Sequence, residues 1–399
     1  MKIRTKKSNF LYYGSLILIT NNVLYDLMIF KYIRALLLGA VCLFYGWKKR
    51  KKIFKNLGKG NYWIYLFLIW EFISTRMHKL DVLSFIGSSL TIILIMFLTL
   101  SQTSETFENY IRCVYLFSVS FLGINAFIML VVPNGLDSFS NGWGWSSYKY
   151  LSGQTLNMFL LLIIPYLLGN IMNNIENMKN TSKYAAINNI IYLTYVFLYL
   201  FWIPKTETTA GFVCLLLLIA NIVFNNKRFD FKLPLYLVAV FMVVSTAGIV
   251  FSDFLLSNQF VQFFVEKILH KTITFTGRTE IWAKAIIAFR KSPIVGYGVG
   301  AQVVTYINGI NVNEHNQILH ILIEGGVVAL ILFILSVIIF IKNIRLIQNI
   351  SIENAFIVSF LCVYLIFFTT ALGLAATWEF YLMLMLTMLI TDRKIGIRL

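Results

Sequence analysis

Acidic residues are scarce in this chain: 17 Asp and Glu among 399 residues, against 34 Lys and Arg. Charged residues of both signs together reach only 13%, about half the quarter that a soluble domain carries. That shortage excludes a soluble enzyme and a disordered tail protein, and no period suggests a collagen-like chain or a repeat array. Cysteine is also sparse. Cys42, Cys113, Cys214 and Cys362 lie far apart, in or beside apolar blocks. No Cys-x-x-Cys or Cys/His spacing exists, so neither a zinc site nor a disulfide framework is indicated, and the four read as small buried hydrophobes. Polar–apolar alternation is missing as well, which excludes a transmembrane β-barrel.

What is present is apolar. Hydrophobic residues make up 59% and aromatic residues 16%. A membrane-spanning helix needs roughly 20 mostly apolar residues. About twelve such stretches are read, at 9–26, 29–47, 61–75, 81–100, 109–132, 154–172, 184–203, 210–224, 233–251, 314–341, 355–373 and 376–391. The third and eighth are short. The first is taken as a retained span and not a cleaved leader, because no A-x-A-like site follows it. The expected fold is all-α: a single polytopic membrane bundle over residues 1–399, with an extracytoplasmic loop at 252–313 between spans nine and ten.

The formal net charge of +17 does not point to nucleic acid, because the cations sit between apolar blocks without a recognition motif. They report orientation instead. With the N-terminus inside, the inner segments hold 21 Lys and Arg and the short outer loops 6. The run Lys48-Lys49-Arg50-Lys51-Lys52 carries much of that bias. Both termini are therefore expected in the cytoplasm. The two longest inter-span segments, 133–153 and 252–313, then lie on the outer side, where the work of the protein is expected.

The long outer loop has internal order. Residues 260–271 read as an amphipathic stretch. A second helix should start after Thr276-Gly277 and stop before Ser292-Pro293, since a residue ahead of proline avoids helical angles. On it, Arg278, Trp282, Ala285 and Phe289 share one face, and Glu280–Lys284 is a favourable pair across one turn. Arg278 would point inward from the helix start, where dipole and free N–H groups also favour an anion. Gly296, Gly298 and Gly300 suggest a tight turn, the alternative being a phosphate loop. Glu314-His315-Asn316 stands at the mouth of the tenth span. An imidazole there is suited to take a proton near neutral pH. His320 is turned away from His315. Glu324, one turn beyond His320 and on its face, is an ionisable residue within a span. His78 and His270 read as solvated.

The order of these pieces, Thr276–Gly300 followed by Asn313–Phe333, resembles the signature region of the O-antigen ligase and polymerase family. The matching residues are Arg278 with Trp282, Ser292-Pro293, Gly296, His315-Asn316 and Glu324-Gly325. The resemblance covers the stretch 184–373. It implies a GT-C-like membrane glycosyltransferase that builds surface polysaccharide (O-antigen or capsule). Its donor would be a polyprenyl-pyrophosphate-linked oligosaccharide. The acceptor would be another lipid-linked repeat for a polymerase, or a lipid or surface anchor for a ligase.

In that reading Arg278 and His315 are the catalytic pair, cation and base, with inversion at the anomeric carbon. The substrate-binding set is Lys205, Arg290, Trp282, Asn316, Glu324, Trp143 and Trp145. Trp143 and Trp145 would stack on sugar rings, or else serve as interfacial anchors. A second arginine that the family carries before this region has no counterpart in Pro204–Ala210, where Lys205 is the only cation.

Metal and cofactor are expected to be absent, because Asp253, Glu266 and Glu280 are not paired. Besides the bilayer, the implied partners are chain-length regulator and flippase proteins, with no nucleic acid. The rival from another class is a lipid-linked oligosaccharide flippase. It should show paired halves, broken helices and charges near the midplane. The sequence halves show no self-similarity, and the candidate polar residues gather at the outer ends.

Overall fold

The computed structural model describes residues 2–20, 28–57, 62–80, 82–140, 146–150, 153–177, 190, 191, 194, 209–224, 232–250, 258–263, 278–304, 314–370 and 377–391. Long apolar runs with few breakers fold as helices: α1 (Lys2–Thr20), α2 (Met28–Leu57), α3 (Tyr62–Met77), α4 (Val82–Leu100) and α5 (Ser104–Val131). After a small sheet come α6 (Thr155–Asn177), α7 (Thr209–Phe224), α8 (Tyr236–Val250) and the short α9 (Gln259–Phe263). The last four are α10 (Arg278–Lys291), α11 (Gln317–Arg345), α12 (Ile350–Thr370) and α13 (Trp378–Thr391).

The expectation of twelve spans is met in part. Among the described residues, three helical stretches are long and apolar enough to cross a bilayer: Glu105–Val131, Gln317–Arg345 and Ile350–Phe367. Five shorter apolar helices accompany them, among them Ser89–Leu100 and Trp378–Thr391. The 14 residues of α13 reach only about 21 Å at 1.5 Å per residue, short of a hydrocarbon core of roughly 30 Å. Most of the seventh expected span (184–203) lies outside the described residues. In the first, the helix ends at Thr20, and residues 21–26 are likewise not described.

The segment at 133–153 is not only a loop. Strands β1 (Asp137–Ser140), β2 (Ser146–Tyr150) and β3 (Gly153–Gln154) form one antiparallel sheet in the order β1-β2-β3, with Asp137 opposite Lys149 and Lys149 opposite Gln154. The Tyr150 hydroxyl donates to Pro133 O at 2.9 Å and ties the sheet to the end of α5. The turn signals of this stretch do not alternate apolar with polar over a strand length, so periodicity alone misses the strands.

Helix α11 organises the bundle. It packs on α3, on α10 and on both C-terminal helices. Its Phe333 lies 6.3 Å from Phe67 of α3 and 6.0 Å from Phe380 of α13, and its Phe340 lies 5.1 Å from Phe360 of α12. These rings are buried, and such pairs add about 0.5–1.5 kcal/mol each beyond the area they bury. Leu36, Leu43, Phe127 and Val243 face outward. Apolar exposure on this scale on a long-helix protein marks a lipid-facing surface. All four cysteines are free and buried, as expected from their apolar surroundings.

Candidate active site

Helix α10 begins at Arg278 and ends at Lys291, directly before Ser292-Pro293, so both expected boundaries hold. Glu280 and Lys284 form the expected pair at 2.9 Å. Arg278 is half-buried at the helix start, and burial pulls its guanidinium below the ordinary arginine range. One turn later Trp282 is buried. Its indole Nε1 donates to Glu314 O at 2.9 Å. That bond fixes α10 against the residue preceding His315. Arg278 lies one helical turn before the indole, and His315 follows the carbonyl that the indole holds by one residue.

The chain turns sharply at His315. Its φ of +47° lies in the left-handed region, uncommon for a residue with a Cβ and a mark of local constraint. Asn316 then caps α11: its Oδ1 accepts from Ile318 N at 3.0 Å and Leu319 N at 3.1 Å. An Asn cap satisfies donors that would otherwise have no partner, and its loss costs about 1 kcal/mol. Asn316 thus has a structural duty through Oδ1, while its buried Nδ2 has no partner.

Helix α11 is broken after three turns. Gly326 has φ +68° and ψ −165°, a region open essentially only to glycine. The stretch of glycines after α10 fits into this break. Gly296, Gly298 and Gly300 all have positive φ, which supports the tight-turn reading. Tyr297 N donates to Ile323 O at 2.7 Å, Gly298 N to Glu324 O at 2.8 Å, and Val327 N to Pro293 O at 2.8 Å. The interrupted helix thereby recovers backbone partners that a break would leave empty. A Cβ on Gly296 would lie 2.6 Å from the Glu324 carbonyl, so the close approach itself requires glycine there.

Helix α3 completes the assembly from far away in sequence. Trp70 Nε1 donates to Gly325 O at 2.7 Å. Ser74 Oγ lies 2.7 Å from Val295 O and 2.8 Å from Glu324 O. Val299 N donates to Thr75 Oγ1 at 3.0 Å. These three residues escape sequence reading, because nothing in the third apolar run points to a loop more than 200 positions later.

The ionisable residues gather beneath the mouth. His320 is buried, with Nδ1 at 2.8 Å from Glu314 Oε2 and Nε2 at 3.3 Å from Glu324 Oε2. The pairing of His320 with Glu324 follows from their one-turn spacing. Glu314 joins them because the turn at His315 folds it back. The other Glu324 oxygen, Oε1, accepts from Gly300 N at 2.8 Å. Glu324 was expected to bind substrate, and here both of its oxygens are engaged within the protein. Glu71 of α3 is also buried and lies within electrostatic reach of Glu324 and His320. A lone acid inside an apolar run is a signal that could have found it.

Of the remaining expected site residues, Arg290 does not join this cluster. It is exposed in the last turn of α10, about 18 Å along the helix from Arg278 at 1.5 Å per residue. Lys205, Trp143 and Trp145 lie outside the described residues, as does His270. His78 is exposed, with Nδ1 3.0 Å from Ser74 O. Among the described residues no group of three or more His, Cys, Asp and Glu is arranged to hold a metal ion. The flippase reading predicts broken helices and deep charges. Among the described residues a broken helix, α11, and a buried ionisable cluster are present.

Chemically, the arrangement offers a half-buried guanidinium at a helix start, an imidazole in a constrained turn, and a buried acid–base cluster of Glu314, His320 and Glu324. Comparison with curated proteins finds no match. Residues 194–334 match the family model described as O-antigen ligase.

Proposed function

We propose, from the match of residues 194–334 to the O-antigen ligase family model, that the protein transfers an oligosaccharide from polyprenyl diphosphate to a hydroxyl acceptor at the outer face of the cytoplasmic membrane. The family is one of glycan-transferring enzymes acting on lipid-linked substrates. The observation that supports the reading is the Trp282–Glu314 hydrogen bond at 2.9 Å, which ties α10, one turn from Arg278, to the residue preceding His315.

A diphosphate leaves readily once its developing charge is held by a fixed cation in a water-poor site. Arg278 supplies that cation, and a guanidinium can grip two phosphate oxygens at once. His315 orients the attacking hydroxyl and takes its proton. Attack from the face opposite the leaving diphosphate inverts the anomeric centre. No step draws on a metal.

The acceptor is a second lipid-linked repeat, which makes the protein a polymerase. A ligase that moves the glycan to a different lipid or surface anchor is the second reading, favoured by the description of the matching family. The cation bias supports both termini in the cytoplasm, and chain-length regulator and flippase proteins are the expected partners.

The test supplies one defined lipid-linked repeat to purified protein. A ladder of sizes supports the polymerase. A single product formed only with an added anchor lipid supports the ligase. Arg278→Ala and His315→Ala should each abolish product. Product that persists in both variants refutes the reading. Loss of substrate movement across vesicles in the same variants, with no glycosidic bond ever formed, favours the flippase.

A further inference from the structure

Helix α2 is 30 residues long, about 45 Å at 1.5 Å per residue, against a hydrocarbon core of roughly 30 Å. Counted from Met28, a crossing of roughly 20 residues ends at Trp47. The next residue opens the basic run: Lys48, Lys49, Arg50, Lys51, Lys52 and then Lys55, with no acidic residue anywhere on the helix. These turns are fixed in place. Leu38, Cys42, Tyr45 and Ile53 are buried along one face. Tyr45 Oη lies 2.8 Å from Ser101 Oγ. Asn56 Nδ2 donates to Leu100 O at 2.6 Å and holds the last basic turn on the end of α4.

The outward face shows what covers it. Leu36, Leu43, Trp47 and Phe54 recur at seven, four and seven residues and share one stripe. All four are exposed, Trp47 at 73% and Phe54 at 71%. The stripe runs from the lipid-facing part of the helix straight into the basic part, with Arg50 and Lys51 between the two aromatic residues. Arg50 Cζ sits 4.4 Å from the Trp47 ring centroid, and Lys48 Nζ 5.3 Å from that of Phe44. Two of the cations therefore lie back against the aromatic boundary. Cations interleaved with outward aromatic rings are the pattern of a helix at headgroup level. An acidic protein would answer the cations alone. Only lipid supplies an acyl chain for the stripe and an anion for the cations together.

Positive charge also accumulates around this end. Arg34 Nε and Nη2 donate to Leu18 O at 2.7 Å and Ile19 O at 2.9 Å, which joins the end of α1 to the start of α2. The first turns of α1, with Lys2, Arg4, Lys6 and Lys7, thus come to the side of the basic run. The acids that the start of α5 adds are fewer, Glu105 and Glu108, and Glu108 is shared with Arg112 at 3.2 Å. We propose that the basic end of α2 is a binding site for anionic phospholipid, its cations on the headgroup phosphate and the Leu43–Trp47 stripe along the acyl chain. The site uses no residue of the candidate active site, and its test does not depend on the transferase reading.

The full-length protein in detergent is titrated with phosphatidylglycerol carrying brominated chains, which quench an indole on contact. Subtracting the same titration of Trp47→Phe isolates the Trp47 signal. Phosphatidylglycerol should half-quench it at a concentration roughly tenfold below that of brominated phosphatidylcholine. Equal quenching by the two lipids overturns the proposal. Arg50→Gln with Lys51→Gln should weaken phosphatidylglycerol roughly twentyfold, at about fivefold per cation near an anionic surface. An unchanged preference in that double variant also overturns it. Should the variant fail to fold, the parent protein decides: raising salt from about 0.05 M to about 0.5 M should collapse the preference, and a salt-indifferent preference refutes the assignment. Displacement of the lipid by inorganic phosphate, but not by chloride at the same ionic strength, would make this a site for free phosphate and overturn the lipid.

Discussion

Replacing Gly326 by alanine tests the join between the broken helix and the glycine segment. Two costs add. The backbone conformation, φ +68° and ψ −165°, costs a residue with a Cβ about 1–3 kcal/mol. The new methyl would also overlap the Ile294 carbonyl and come within 2.8 Å of Pro293 O. Those are backbone atoms with no rotamer to retreat into. Relief requires the segment to lift from α11, which breaks Val327 N→Pro293 O, Tyr297 N→Ile323 O and Gly298 N→Glu324 O. At about 1 kcal/mol net per bond, the total loss approaches 4–6 kcal/mol. Gly300→Ala is the control. Its φ is +79°, and nothing lies within 4 Å of its added Cβ, so only conformational strain of about 1–2 kcal/mol remains. Unfolding midpoints of the purified variants in one detergent, at one scan rate, measure the difference. Gly326→Ala should unfold far below Gly300→Ala. Equal losses would mean that the segment does not hold the break.

Further outcomes follow from the same geometry. Trp282→Phe keeps the ring but removes the bond to Glu314 O. It should cost about 1–3 kcal/mol, because a buried carbonyl loses its donor, and it should lower turnover by disturbing His315. Ser74→Ala should destabilise by about 1–2 kcal/mol by removing a hydroxyl set between Val295 O and Glu324 O, read as a lowered melting midpoint. Lys284→Ala breaks a pair whose side chains are 37% and 38% exposed. It should change stability by less than about 0.5 kcal/mol, and a large shift in the midpoint would show that the pair is not the solvated one described.

Much of the site can be read from local patterns. Proline after serine stops α10 at Lys291, and one-turn spacing pairs His320 with Glu324. Alternate glycines foretell the left-handed turns. What cannot be read is non-local. Trp70, Ser74 and Thr75 look like an ordinary end of an apolar helix, and their partners lie 221–255 positions away. The break in α11 is also hidden. Gly325-Gly326 within an apolar run reads as a tolerated interruption, because only the glycine segment packed against it makes the extended angles favourable. The sheet at Asp137–Gln154 escapes for a different reason, since its strands of two to five residues are too short to carry a period.

The seam at Gly326 is stitched by main-chain atoms. Recognition there is indifferent to what Ile294, Val295 and Val299 carry on their Cα atoms, whereas the Tyr297 hydroxyl also donates to Ala288 O at 2.9 Å. A saturation library across 294–299 should therefore tolerate wide chemical variety at those three positions, and reject almost everything at the two glycines between them.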